Sequence, residues 1–371
     1  MELRQCAVEV LVIASWADRR VLITGHTGFK GSWLSLWLAS RGARVTGFAL
    51  PPPTQPSLFE AARVEQGLHH IEGDVRDLDA VVAAFEQARP DIVFHLAAQP
   101  LVRHSYSEPV ETYATNVLGT VHVLEAARRV PGIKAIVAVT SDKCYENREW
   151  DWPYREIDPM GGHDPYSSSK GCAELVIAAW RRSYFAEAGP LLASVRAGNV
   201  IGGGDWATDR LVPDLVRAFE QGESPLIRSP ASVRPWQHVL EALGGYVLLA
   251  ERLLAGERGF ADGWNFGPSD EDARPVSWIL ERMRAAWGGA PEAVGDNAPQ
   301  PHEAGLLRLD CSKARTALRW RPVVPLAEAL DWIVAWHKAV AAGQDARAVT
   351  LGQIGEYQAR SSARSRASIA A

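Results

Sequence analysis

Through the first two-thirds of the chain, short apolar runs alternate with segments whose apolar residues recur every three to four positions. Val21–Thr24, Arg44–Phe48, Leu68–Ile71, Asp91–His95, Ala135–Thr140 and Leu191–Arg196 read as strands. Between them, Phe29–Ser40, Asp77–Arg89, Val110–Arg129 and Pro165–Glu187 read as helices, the first stopped by Gly42. Apolar strands separated by helices predict an α/β fold with a parallel sheet covered on both faces. After Gly198 the pattern changes. Gly202–Gly204 is a loop, and helices are expected at Leu211–Gln221, His238–Ala255, Val276–Trp287 and Leu326–Ala341, with Pro and Gly dense between them. This describes a smaller lobe capping the sheet, with no linker that would cut off a separate domain.

Composition narrows the picture little. The chain has 371 residues, enough for one large domain and a smaller lobe. Its formal charge of −5 gives no basic surface for nucleic acid. No apolar run reaches the ~18 residues of a membrane span. Cys6, Cys144, Cys172 and Cys311 are scattered without a CxxC pair, so neither a metal site nor a disulfide framework is expected, and a reducing cytoplasm is. Arg4 followed by Ala7–Ala14 faintly resembles a signal peptide, but Glu9 interrupts the run. Residues 1–18 read as a dispensable extension. The tail over 343–371, rich in Ala, Arg, Ser and Gln, reads as frayed.

Chemistry first appears where the opening strand turns into its helix. Gly25-His-Thr-Gly28-Phe-Lys-Gly31 places glycines at i, i+3 and i+6. Such a turn brings backbone N–H groups and a helix N-terminus to a pyrophosphate. The expected cofactor contacts here are Gly25, Thr27, Gly28, Phe29, Lys30 and Gly31. An acidic residue that would hold the adenosine ribose is missing, since the second strand runs into Phe48-Ala-Leu-Pro51. Asp74, beside Val75 after the third strand, is a candidate for the adenine, and the choice between NAD and NADP stays open at this point. The small residues Ala97 and Ala98 leave room for a nucleotide across the strand ends, and Asn116 is placed to bridge helix and sheet.

Tyr166-Ser-Ser-Ser-Lys170 is the strongest motif. Its Tyr and Lys share one helix face at i, i+4. A phenol titrates near 10, so using it as a base near pH 7 means lowering it about three units, or about 4 kcal/mol. A nearby ammonium, together with a positive nicotinamide, supplies that kind of stabilisation. At the end of the fifth strand, Thr140 and Ser141 offer hydroxyls to a substrate oxygen, and Asp142 and Lys143 set an acid beside a potential base. A simple dehydrogenase needs neither of the last two.

Taken together these residues resemble the extended short-chain dehydrogenases that modify nucleotide sugars, over roughly residues 19–340. Within that family the likeness is to the CDP-glucose 4,6-dehydratases. It rests on Gly25-His-Thr-Gly-Phe-Lys-Gly-Ser-Trp33, Leu50-Pro-Pro-Pro53, Pro56-Ser-Leu-Phe59, His95-Leu-Ala-Ala-Gln-Pro-Leu-Val102, Thr140-Ser-Asp-Lys-Cys-Tyr145, Gly204-Asp-Trp206 and Arg234-Pro-Trp-Gln-His238. Other sugar 4,6-dehydratases typically carry Asp-Glu where this chain has Asp142-Lys143. The resemblance implies a Rossmann-type doubly wound sheet, mainly over 19–200, with a smaller nucleotide-sugar-binding lobe mainly over 201–342. It implies NAD as cofactor and CDP-glucose or a related nucleotide sugar as substrate. The implied catalytic set is Ser141, Asp142, Lys143, Tyr166 and Lys170, with Arg196, Asn199, Arg210 and Arg234 holding the substrate. Helices Val110–Arg129 and Pro165–Glu187 resemble those that pair between subunits in this family, implying a homodimer or homotetramer. Deoxysugar supply for surface polysaccharide is the implied purpose. A sugar 4-epimerase, a dehydratase for another nucleotide, and a cofactor-sensing protein without turnover are the alternatives.

Overall fold

The computed structural model describes residues 15–296 and 305–370. The signal-like stretch Ala7–Ala14 and Cys6 lie outside them. Seven strands form one wholly parallel sheet: β1 (Arg20–Thr24), β2 (Arg44–Ala49), β3 (His69–Glu72), β4 (Ile92–His95), β5 (Ala135–Val139), β6 (Leu191–Ala197) and β7 (Gly263–Phe266), in the order β7-β6-β5-β4-β1-β2-β3. The order reverses between β1 and β4, and the crevice at such a switch point is where open α/β sheets bind ligands.

The central strands β1, β4, β5 and β6 are largely apolar because both faces are covered, whereas the edge strand β3, His69-His-Ile-Glu72, is mostly polar and only partly buried. Side chains alternate along each strand: Val21 and Ile23 enter one core and Leu22 the other, as do Ile92 and Phe94 against Val93. One face is packed by α2 (Leu78–Ala88), α3 (Gly119–Arg129) and α4 (Pro165–Ser183). The other carries α1 (Phe29–Ser40) and α6 (Val239–Leu254). A third cluster, built by α5 (Leu211–Gln221), α7 (Val276–Trp287) and α8 (Leu326–Ala341), forms the smaller lobe.

The segment after residue 200, expected to be mainly lobe, also returns β7 to the sheet beside β6. Three expectations are corrected. Residues 1–18 are not wholly dispensable: Trp16 is buried against Phe94, and its indole N–H donates to Glu251 at 2.7 Å. The tail forms α9 (Ala346–Ala370), whose Thr350, Ile354 and Tyr357 are buried at i, i+4 and i+7, with Tyr357 against Trp37 of α1. The long helix expected over Val110–Arg129 is interrupted. Pro109–Tyr113 leads into a wide π turn over Ala114–Leu118 before α3 begins.

Candidate active site

The turn between β1 and α1 sits at the switch point. Gly25 has φ +76°, and a Cβ there would stand 2.6 Å from the Ala97 nitrogen. A Cβ on Gly31 would stand 2.2 Å from the Gly25 carbonyl oxygen. Neither position admits another residue without moving backbone. Gly28 begins α1 without a side-chain cap, so the first N–H groups of the helix are free to meet an anion. Thr27 donates to the Leu50 carbonyl at 2.9 Å, drawing the proline-rich loop after β2 against the turn.

These elements open on a cavity of about 710 Å³. One arm is lined by Leu50, Pro51, Thr54, Gly73, Asp74 and Val75. Asp74, fixed by Arg76, is the carboxylate of this arm. The centre holds Ala97, Ala98, Thr140, Ser141, Asp142, Lys143, Tyr166 and Lys170, and the lobe contributes Asn199, Arg210 and Arg234. The cavity thus gathers all but two of the residues singled out from the sequence.

Asn116 and Arg196 are the two. Asn116 is buried in the π turn. Its Oδ1 accepts from the Gln99 N–H at 2.8 Å, and its Nδ2 donates to the Gln99 carbonyl and to Ser169 at 2.9 Å. It fastens the loop after β4 to α4, a bridge between helix and sheet rather than a cavity contact. Arg196 points away from the cleft. Its guanidinium donates to Glu174 at 2.9 and 2.7 Å and to the Tyr145 hydroxyl at 2.7 Å. The expectation that it meets substrate is therefore overturned, because Glu174, one turn beyond Lys170 on α4, holds its guanidinium outside the cavity lining. Burial works against both charges, and their mutual attraction outweighs it: Arg196 is raised and Glu174 lowered.

Glu174 went unnoticed in the sequence although it completes the i, i+4, i+8 row begun by Tyr166 and Lys170. It also accepts from Thr140 at 2.5 Å and Ser194 at 2.8 Å, tying the end of β5 to α4 and β6. The hydroxyl of Ser141 is set next to that clamp. It donates to Asp142 Oδ1 at 3.0 Å, accepts from the Lys143 N–H at 3.2 Å, and is hydrogen-bonded with the Tyr166 phenol.

Burial dominates the protonation of this centre. It pushes the Tyr166 phenol up to about 12, against the Ser141 hydrogen bond, which lowers it. The phenol is thus neutral as it stands, not already lowered by Lys170. Burial brings Lys170 down to about 8 and raises Asp142, whose Oδ2 is buried without a hydrogen bond. Lys30, expected beside the pyrophosphate, is lowered to about 8 by burial and then by Arg210 and Lys170, while Asp142 and Asp205 oppose the shift. Its charged neighbours lie on the catalytic and lobe side.

Residues 21–261 match the family of NAD dependent epimerases/dehydratases. The chain belongs to that family. It is 55% identical over 347 residues to the CDP-glucose 4,6-dehydratase of Salmonella typhimurium, covering 92% of this chain and 97% of that one. A probable dTDP-glucose 4,6-dehydratase of Sinorhizobium fredii is 24% identical, over 86% and 92% of the two chains. Among solved structures, UDP-glucose 4-epimerase of Thermus thermophilus in complex with NAD superposes with a TM-score of 0.73 at 26% identity, covering 86% of this chain and 99% of that one. The glycine turn, the uncapped start of α1 and the open arm beyond Gly73 fit the dinucleotide on which the family depends.

Proposed function

We infer that this chain is a CDP-glucose 4,6-dehydratase, an NAD-dependent hydro-lyase that converts CDP-glucose to CDP-4-keto-6-deoxyglucose and water. The observation that carries this reading beyond the family is one cavity wall. On it Ser141, Tyr166 and Lys170 stand next to a buried carboxylic acid, Asp142, with Lys143 beside it. The glycine turn and the N-terminus of α1 would hold NAD, which when bound would supply the hydride acceptor for the sugar C4 and the hydride donor for C6.

Tyr166 removes the proton of the C4 hydroxyl, and Ser141 turns from its resting partners to orient that oxygen. Lys170 holds positive charge behind the phenolate as it forms. The C4 ketone acidifies the C5 proton, which Lys143 takes and gives back to C5 as hydride reaches C6. Asp142, kept protonated by burial, gives its proton to the C6 hydroxyl as it leaves as water. Arg210, held by Asp205 at 3.2 Å, and Arg234, buried near Asp142, meet the diphosphate. Asn199 lines the same wall.

A second copy of the chain completes the assembly as a homodimer or homotetramer. Its seat is the exposed apolar strip of Val110, Leu118 and Leu175 beside α3 and α4. Cys144, Cys172 and Cys311 are free, in keeping with a cytoplasmic setting, and no described helix is long and apolar enough to cross a membrane. Deoxysugar supply for polysaccharide is the role we assign.

The test is incubation with CDP-glucose and NAD⁺, with dTDP-glucose and GDP-mannose in parallel, reading the alkaline absorbance of the 4-keto product. Product from CDP-glucose is expected. None from any of the three, with NAD binding confirmed, would refute the assignment. Tyr166→Phe should still bind NAD but lose at least about 10²-fold in kcat.

A further inference from the structure

The catalytic wall treats every glucose nucleotide alike, since it meets only the sugar. Selection of the base has to come from the far end of the cavity, and the chemistry of the bases says what to look for. Cytosine presents an exocyclic amine, a donor, where uracil and thymine present a carbonyl oxygen, an acceptor. An acceptor with no donor of its own separates them, and an ionised carboxylate is such a group.

The inference rests on the reading of the chain as a nucleotide-sugar dehydratase. With the sugar C4 at Tyr166, the diphosphate follows toward Arg210 and Arg234, and the nucleoside lies beyond them. That end of the cavity runs between the first turn of α5 and the short strand Leu226–Ile227. Its walls include Leu211 and Leu226, the last 59% exposed, apolar surfaces of the kind that take the face of a pyrimidine.

Two carboxylates stand there. Asp209 accepts from Arg103 at 3.1 Å and from Arg228 at 3.4 Å, so it is taken twice. Asp214 differs. Its Oδ1 accepts from Arg217 at 2.8 Å, and Arg217 is anchored on the Trp206 carbonyl at 3.2 Å. The carboxylate is thus held in place by one oxygen. Among the described residues its Oδ2 has no hydrogen bond, and the side chain is 34% exposed, so this oxygen is not sealed in protein. The remaining cavity carboxylates are elsewhere: Asp74 beside the cofactor turn, Asp142 at the reacting centre, and Asp205 engaged by Arg210.

We propose that Asp214 selects the nucleotide, accepting a hydrogen bond from the cytosine amine and repelling the O4 carbonyl of uridine and thymidine nucleotides. Arg217 is the positioning residue that sets its angle.

Kinetics of the NAD-loaded enzyme with CDP-glucose, UDP-glucose and dTDP-glucose test this. In Asp214→Leu and Asp214→Asn, kcat/KM for CDP-glucose should fall about 10- to 100-fold, mostly through KM. The preference over UDP-glucose should narrow by a similar factor. An unchanged preference in folded variants would overturn the proposal. Calorimetric binding of CDP and UDP to the unaltered protein guards against variants that fail to fold: equal affinities overturn the proposal without any variant. Failure of the parent reading looks different, because unaltered enzyme would then give no 4-keto product from CDP-glucose at all.

Discussion

Replacing Glu174 by Gln tests whether the buried clamp behind the site matters as its geometry implies. Glu174 and Arg196 are 4% and 6% exposed at their side chains and bond through two nitrogen–oxygen contacts. The amide keeps the shape of the carboxylate but removes the charge. Arg196 is then left as a buried cation with only neutral partners, Tyr145 and the Glu156 carbonyl. Breaking a buried pair from one side costs about 3–5 kcal/mol. Against a total stability of about 5–15 kcal/mol this is a large fraction. With a urea slope of about 2–3 kcal/mol per M, the unfolding midpoint should drop by about 1–2.5 M. The double variant Glu174→Gln/Arg196→Met should recover much of the loss, because the stranded charge is gone. The assay is urea unfolding followed by far-ultraviolet circular dichroism at neutral pH, without NAD. A midpoint shift under about 0.3 M in Glu174→Gln would refute the argument, placing the pair's worth within the range of a surface contact.

Asp142→Asn should leave the oxidation at C4 in place while slowing the elimination about 10²- to 10⁴-fold, so reduced cofactor should accumulate under single-turnover conditions and be visible in its near-ultraviolet absorbance. The protein should also lose stability in acid. Burial lowers His26, His95 and His238 to about 3, so each stays neutral in the folded state long after it charges in the unfolded one. Their contribution is complete above about pH 6.5 and is lost as pH falls toward 3, the loss by pH 4.5 being on the order of 3 kcal/mol per ring. Thermal midpoints measured from pH 7 to pH 4 check this, and a flat profile would contradict it.

How much the sequence discloses depends on whether a signal is local. The central strands β1, β4, β5 and β6 announce themselves because burial on both faces makes most positions apolar, and the glycine turn and the Tyr166–Lys170 spacing lie within single elements. β7 is hidden: Gly263-Trp-Asn-Phe266 is four residues long, within a stretch dense in Gly and Pro, and is defined by pairing Trp264 with Val195 far upstream. Arg196 is misread for a related reason. Its position at a strand end suggests the cleft, but its direction is fixed by Glu174, which is on another element. In α9 the polar composition masks the three buried side chains, since one narrow stripe suffices for a helix lying on the outside of a core. The uncapped π turn around Asn116 has no sequence pattern of its own, because the extra residue it accommodates is set by the Gln99 loop that Asn116 must reach.

The packing of α9 bears on the order in which the protein can be completed during synthesis. Tyr357 lies on Trp37 of α1, the helix that carries the cofactor turn, and its hydroxyl donates to Glu241 at 3.3 Å. Arg347 donates to the carbonyls of Ala62 and Arg63 at 3.3 and 2.8 Å. The packing around α1 and the segment before β3 is thus finished by α9, with β7 arriving in between. A nascent chain bearing the whole glycine turn still exposes the β6 edge until β7 has been made, and Trp37 until α9 has been made. Contacts so distant in sequence form late and leave apolar surface uncovered meanwhile.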